Sequence, residues 1–190
     1  MEKINQILKN DGVISFVTDT VWGVGCLPSS PKAVDKIYEL KGRDRSKPLI
    51  LMSSSLDYLL PYVENMSISQ KKLIDSYFPG AVTFILNKTE ITPNYLTSGM
   101  NTVGIRIPNN KVFAKLCDNI EGHVLATTSA NLSGQPSAKT YEQAVQFIGS
   151  YVDYVYQNEE DKAKGLESTV VLINSTSPKI LRQGAVVFNS

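Results

Sequence analysis

Apolar residues recur along this chain with two periods, one helical and one alternating, and the switches between them outline its elements. Ile4, Ile7 and Leu8 stand at helical spacing, and Asp11-Gly12 closes that helix. Residues 13–17 then predict a buried strand. Ser30-Pro31 opens a second helix whose apolar stripe is Val34, Ile37 and Tyr38, with proline in the first turn. Residues 48–52 predict the next strand. Ser67 with Gln70 and Thr140 with Gln143 form capping-box patterns. The first precedes Leu73, Ile74 and Tyr77; the second precedes Ala144, Val145, Phe147 and Ile148. Further strands are predicted at 82–86, 103–107, 124–127, 152–156, 169–173 and 186–188. No repeat, low-complexity tract or long linker interrupts the pattern. Strands interleaved with helices predict one layered α/β or α+β domain over residues 1–190. The irregular connections favour a mixed sheet over all-parallel winding.

Composition narrows the function. The chain is 42% hydrophobic, but no run approaches the ~18 apolar residues of a membrane span. Met1-Glu2-Lys3-Ile4-Asn5 carries no apolar leader, so a soluble, cytoplasmic protein without membrane contact is expected. Charged residues make up 19%, below the typical ~25%, and 19 Ser, 12 Thr and 13 Asn fill the gap. The 19 Lys+Arg and 18 Asp+Glu give a net charge of +1, which argues against a basic nucleic-acid coat but allows a local patch. Cys26 and Cys117 supply neither a disulfide framework nor a zinc site, and read as buried small residues. His123 is the single histidine, so mechanisms or metal cages needing two are excluded. It reads as structural, and no metal ligands are predicted. Trp22 reads as core, with stacking on a base as the alternative.

Four segments carry chemistry. Thr18-Asp19-Thr20-Val21-Trp22-Gly23-Val24-Gly25 follows the first strand, and its glycines would allow a ligand close to the backbone, or simply form a polar turn at positive φ. It matches neither a Walker A loop nor a dinucleotide fingerprint. In Lys41-Gly42-Arg43-Asp44-Arg45-Ser46-Lys47-Pro48 the cations fall at every second position. An extended chain would set them in one row suited to polyphosphate; the alternative is solvated charge at a helix C-terminus. Thr83 follows Pro79-Gly80, and Arg106 sits between apolar neighbours, so it requires an anionic partner from the protein or from a substrate. The 126–137 stretch (Ala126 to Ser137) is dense in hydroxyls and amides and reads either as an anion nest or as an ordinary polar loop. Glu167-Ser168-Thr169 and Arg182-Gln183-Gly184 complete the set.

Taken in order, these segments resemble the YrdC family of threonylcarbamoyl-adenylate synthases over nearly the whole chain. The shared motifs include Lys41-Gly42-Arg43, Lys47-Pro48-Leu49, Pro79-Gly80-Ala81-Val82-Thr83, Arg106-Ile107-Pro108, Ser129-Ala130-Asn131-Leu132-Ser133-Gly134 and Ser168-Thr169-Val170. The resemblance implies a YrdC-like α+β (α/β three-layer) fold with a twisted mixed sheet and a concave basic face. Because the chain ends soon after Arg182-Gln183-Gly184, it resembles the short form without a C-terminal extra domain. It implies a nucleotidyltransferase that converts ATP, L-threonine and bicarbonate to threonylcarbamoyl-AMP and pyrophosphate. A tRNA threonylcarbamoyltransferase complex would use the product to modify ANN-decoding tRNAs. Mg²⁺ is expected on the ATP phosphates. The resemblance gives Lys41 and Arg43 the catalytic role beside the phosphates. It places Thr20, Lys47, Arg106, Ser129 and Ser168 around threonine. Thr83, Asn131, Ser137 and Arg182, with Lys41 and Arg43, fall around ATP. Val17 replaces the usual proline and Trp22 the usual tyrosine, and neither change removes a charged contact. Two other readings stay open: a module binding tRNA or other RNA weakly through the 41–47 patch, and a family relative without threonine specificity. Near-neutral charge and the lack of an aromatic RNA-binding element weigh against the first.

Overall fold

The computed structural model describes residues 1–157, 163–174 and 177–189. Helix α1 (Glu2–Lys9) leads into β1 (Ile14–Phe16) and β2 (Gly23–Cys26). Helix α2 (Pro31–Lys41) begins where the Ser30 side chain accepts from the Ala33 N–H, and it ends at Gly42, whose φ of 55° lies in the left-handed region that favours glycine. Then come β3 (Ile50–Ser53), the short α3 (Leu56–Leu59) and α4 (Ile68–Tyr77), the last with the full Ser67/Gln70 capping box. The chain continues through β4 (Val82–Asn87), α5 (Asn94–Thr97), β5 (Thr102–Arg106), α6 (Lys111–Asp118) and β6 (Val124–Ser129). It closes with α7 (Tyr141–Ile148), β7 (Tyr154–Val155), β8 (Thr169–Leu172) and β9 (Lys179–Arg182).

The nine strands of the described residues form one mixed sheet in the order β7-β1-β2-β6-β3-β5-β4-β8-β9. Three neighbour pairs are parallel (β1/β7, β3/β5, β4/β8) and five are antiparallel. This is the expected mixed α/β architecture. Side-chain alternation along the strands then decides where a ligand can sit. Leu51, Val82, Phe84, Ile105, Ala126 and Val171 enter the larger core, with Val34 and Ile37 of α2, Ile74 of α4 and Ile148 of α7. Their neighbours Ile50, Met52, Thr83, Arg106, Thr127 and Val170 therefore face the opposite side. There α1 and α6 cover only the part of the sheet around Ile14, Phe16, Met52 and Leu125. The remainder of that face stays open and becomes the floor of a cavity.

Three expectations are corrected. Residues 186–188 are not a strand: β8 pairs instead with Lys179–Arg182, an edge strand exposed at all four positions. The 186–188 segment is tied by side chains, with the Thr169 hydroxyl and Gln183 amide both donating to the Val186 carbonyl. Phe188 stacks on Tyr77 in the core. Gly23 and Gly25 serve packing within the sheet, neither sitting at positive φ: a Cβ on Gly23 would meet the Phe16 ring at 2.8 Å, and one on Gly25 the Ala126 carbonyl at 2.9 Å. The cations of 41–47 do not form one row, because the segment turns, with the Lys47 N–H donating to Asp44 O at 3.0 Å. Arg45 points away, paired with Asp35 and set over the Tyr38 ring.

Candidate active site

The open sheet face holds a cavity of about 490 Å³. Thr83, Arg106, Thr127 and Val170 come from its strands, Lys41 from the end of α2, and Arg43, Ser46 and Lys47 from the turn that follows. The 129–134 loop, Glu167-Ser168 and Arg182 close the other sides. Every residue that the resemblance places around threonine or ATP lines this cavity except Ser137, whose hydroxyl donates to Glu167 at 3.1 Å.

Arg106 is 2% exposed, and the partner it requires is in the protein: Nη2 donates to Asp19 Oδ1. Nη1 donates to the Thr20 hydroxyl at 2.9 Å, and Nε to the Gly80 carbonyl at 3.0 Å. Burial lowers the Arg106 pKa and the Asp19 charge opposes that pull. The 18–21 turn that presents Asp19 and Thr20 is closed by the Thr18 hydroxyl donating to Val21 O at 2.6 Å. Across the cavity, Thr83 and Ser168 share a hydroxyl hydrogen bond of 2.8 Å. Arg182 lies flat against them, with Nε and Nη2 donating to Ser168 O at 3.3 and 2.9 Å.

Lys41 anchors the loop after β6. Its ammonium donates to Ser129 O and Asn131 O, both at 2.6 Å, and to Asn131 Oδ1 at 2.8 Å. Asn131 is used on all sides: Oδ1 also accepts from the Ser129 hydroxyl, and Nδ2 donates to Leu132 O and Gln135 O. The loop's N–H groups are largely engaged too, including Ser133 N to Lys41 O and Ala130 N to Trp22 O. The loop therefore presents hydroxyls and carbonyls more than a nest of free amides. Burial lowers the Lys41 pKa to about 7, with the Arg43 charge adding to the effect. The three acceptors oppose this, since a neutral amine would turn its lone pair toward an oxygen. Arg43, half-buried, donates through Nε to Lys47 O and through Nη2 to Pro48 O, both at 3.1 Å.

Among the described residues, five cations (Lys41, Arg43, Lys47, Arg106 and Arg182) line the cavity, against one carboxylate on its wall, Glu167, with Asp19 behind Arg106. Such a site attracts a polyanion and places donors around it. The donor set does not make a metal cage, as the described residues contain no group of three or more His, Cys, Asp or Glu. His123 is structural, its Nδ1 3.0 Å from Cys117 O and its ring stacked on Tyr58. Cys26 and Cys117 are both buried away from the cavity lining, and burial pushes the Cys26 thiol up to about 12 and the Cys117 thiol up as well. Trp22 is fully buried against Tyr141. Two contributors had no role in the sequence reading. Asp19 was visible only as a loop carboxylate, and Glu167 only as the residue before Ser168.

The Sua5/YciO/YrdC family model, described as "Telomere recombination", matches residues 6–184. A threonylcarbamoyl-AMP synthase of Idiomarina loihiensis is 35% identical over 176 residues, 92% of each chain. One from Klebsiella pneumoniae is 41% identical over 148 residues, 76% of this chain and 77% of that protein. Among solved structures, P. abyssi Sua5 complexed with L-threonine superposes with a TM-score of 0.89 at 28% identity, covering 96% of this chain. This chain spans about half of that one, 53%. E. coli YciO, at 24% identity and a TM-score of 0.86, shares the fold.

Proposed function

The chain belongs to the Sua5/YciO/YrdC family, and on that premise we propose that its cavity makes threonylcarbamoyl-AMP from ATP, L-threonine and bicarbonate, in the cytoplasm. The observation carrying this reading is the convergence of five cations and the hydroxyls of Thr20, Thr83, Ser129 and Ser168 on one cavity over the open face of the sheet. The threonine amine and bicarbonate give a carbamate with loss of water. A carbamate oxygen then attacks the α-phosphorus of ATP, the bond to the β-phosphate oxygen breaks, and pyrophosphate leaves. No enzyme nucleophile is consumed, which agrees with a site rich in Lys, Arg, Ser and Thr. The protein's work is to hold the reactants in line and to neutralise charge around phosphorus. Lys41 and Arg43 face the phosphates, and Thr83, Asn131 and Arg182 hold the nucleotide. Thr20, Lys47, Arg106, Ser129 and Ser168 surround threonine. Mg²⁺, carried by the phosphates and water, would supply further charge neutralisation. A tRNA-modifying transferase complex would consume the product.

Pyrophosphate release, followed by a coupled phosphate assay, is expected only when ATP, threonine and bicarbonate are all present. Release that is indifferent to threonine and bicarbonate contradicts the assignment. Equal rates with serine or valine would mark a relative without threonine specificity. An RNA-binding module would instead bind structured RNA with an affinity that falls steeply with salt.

The Lys41 environment adds a pH prediction. The charged ammonium favours phosphate, and with burial drawing its pKa down to about 7 it is expected to lose charge in the free protein above that pH. Bound phosphate raises that pKa, so binding takes up a proton above it. Calorimetry from pH 6 to 9 is expected to show Mg-ATP affinity declining above pH 7, and a weaker, flat profile in Lys41→Met. A flat wild-type profile would show that Lys41 does not titrate there.

A further inference from the structure

One wall residue opposes the cationic character of the cavity. Glu167 is the carboxylate among the described lining residues, and it holds two side chains assigned above or by the sequence to ATP. Arg182 Nη1 donates to Glu167 Oε2 at 2.6 Å, and the Ser137 hydroxyl to Oε1 at 3.1 Å. Ser168 O fixes the other edge of the Arg182 guanidinium, so Nη1 is the part left to meet an anion. In the free protein Arg182 also repels Arg43 and Arg106, and the Glu167 charge acts favourably on Lys41 and Arg43. The pair is half-exposed, 48% and 40%, so the carboxylate can turn to solvent without being buried alone.

We propose that Glu167 is a resident anion that holds Arg182 and Ser137 until nucleotide phosphates displace it. It is thus a positioning residue that sets ATP affinity. Without it the empty cavity would keep Arg182 uncompensated beside other cations. With it, any phosphate that binds must first replace an existing partner, which lowers affinity by the worth of a partly exposed ion pair. The inference rests on the reading of Arg182 as a phosphate contact.

Calorimetric titration with Mg-ATP, pyrophosphate and adenosine tests this on wild type, Glu167→Gln, Arg182→Ala and the double variant. Glu167→Gln is expected to tighten Mg-ATP and pyrophosphate by about threefold to fivefold, the upper part of the range for exposed ion pairs, and to leave adenosine unchanged. Arg182→Ala is expected to weaken Mg-ATP at least about tenfold. The double variant should match Arg182→Ala, because Glu167 then has no guanidinium to withhold. Glu167→Ala repeats the arm should the glutamine variant not fold. If Arg182→Ala weakens binding but both Glu167 variants bind as wild type or worse, the resident-anion role is wrong and the site assignment stands. A shift that extends to adenosine also overturns it. If Arg182→Ala leaves affinity unchanged, the phosphate assignment of Arg182 falls, and the proposal with it.

Discussion

Arg106→Met is expected to lower the unfolding free energy by about 3–5 kcal/mol, read from urea denaturation, and to abolish detectable turnover. The size follows from what is left behind. Asp19, 8% exposed, would keep a carboxylate facing no cation, and Gly80 O and the Thr20 hydroxyl would each lose a donor. An uncompensated buried charge costs far more than the net worth of the pair it came from. The double variant Asp19→Leu/Arg106→Met separates fold from chemistry. It is expected to recover much of the stability, because no lone charge remains, while turnover stays lost. Loss of less than about 1 kcal/mol in Arg106→Met would show that Asp19 reaches water and that the ion pair is not a structural post.

Lys41→Ala and Arg43→Ala are each expected to reduce turnover at least tenfold, about 1.4 kcal/mol of transition-state stabilisation. For Lys41 the loss has two sources. The charge proposed to face the phosphates is removed, and three oxygens of the 129–131 segment lose their donor. Each acceptor left buried costs about 1–3 kcal/mol, so melting temperature should fall with activity. For Arg43 the stability change should be small, because its hydrogen bonds run to the exposed 47–48 turn. The contrast between the two variants is the informative result. Near-normal turnover in both removes the roles assigned to them.

Much of this architecture was legible in the sequence because its signals are local. The Ser67/Gln70 box, Ser30-Pro31 and the apolar stripes of α2 and α7 need no tertiary information, and those elements stand where expected. Helix α6 also had its signal, Asn110 capping Phe113 ahead of Leu116 and Cys117, and was passed over. Strand β2 was hidden by its two glycines, which are tolerated because Phe16 fills the space their side chains would take. Strand β9 was hidden by its exposure, since an edge strand without a buried face has no alternation to read. Within the site, residue types were readable and partners were not. Arg106 announced that it needed an anion, but Asp19 lies 87 positions away and only the fold unites them. The row of cations at 41–47 failed for a related reason: spacing fixes a face only in an extended chain, and Gly42 with the Asp44–Lys47 turn breaks it.

On the proposed reading, one cationic bowl seats a triphosphate beside a threonine-derived carbamate and joins them. Mass spectrometry of a reaction run with ¹³C-bicarbonate tests it most directly. The predicted result is an adenylate that contains threonine and one labelled carbon, formed in equal amount with pyrophosphate. Pyrophosphate accompanied by unlabelled threonyl-adenylate, or by AMP with no adduct at any time point, would contradict it.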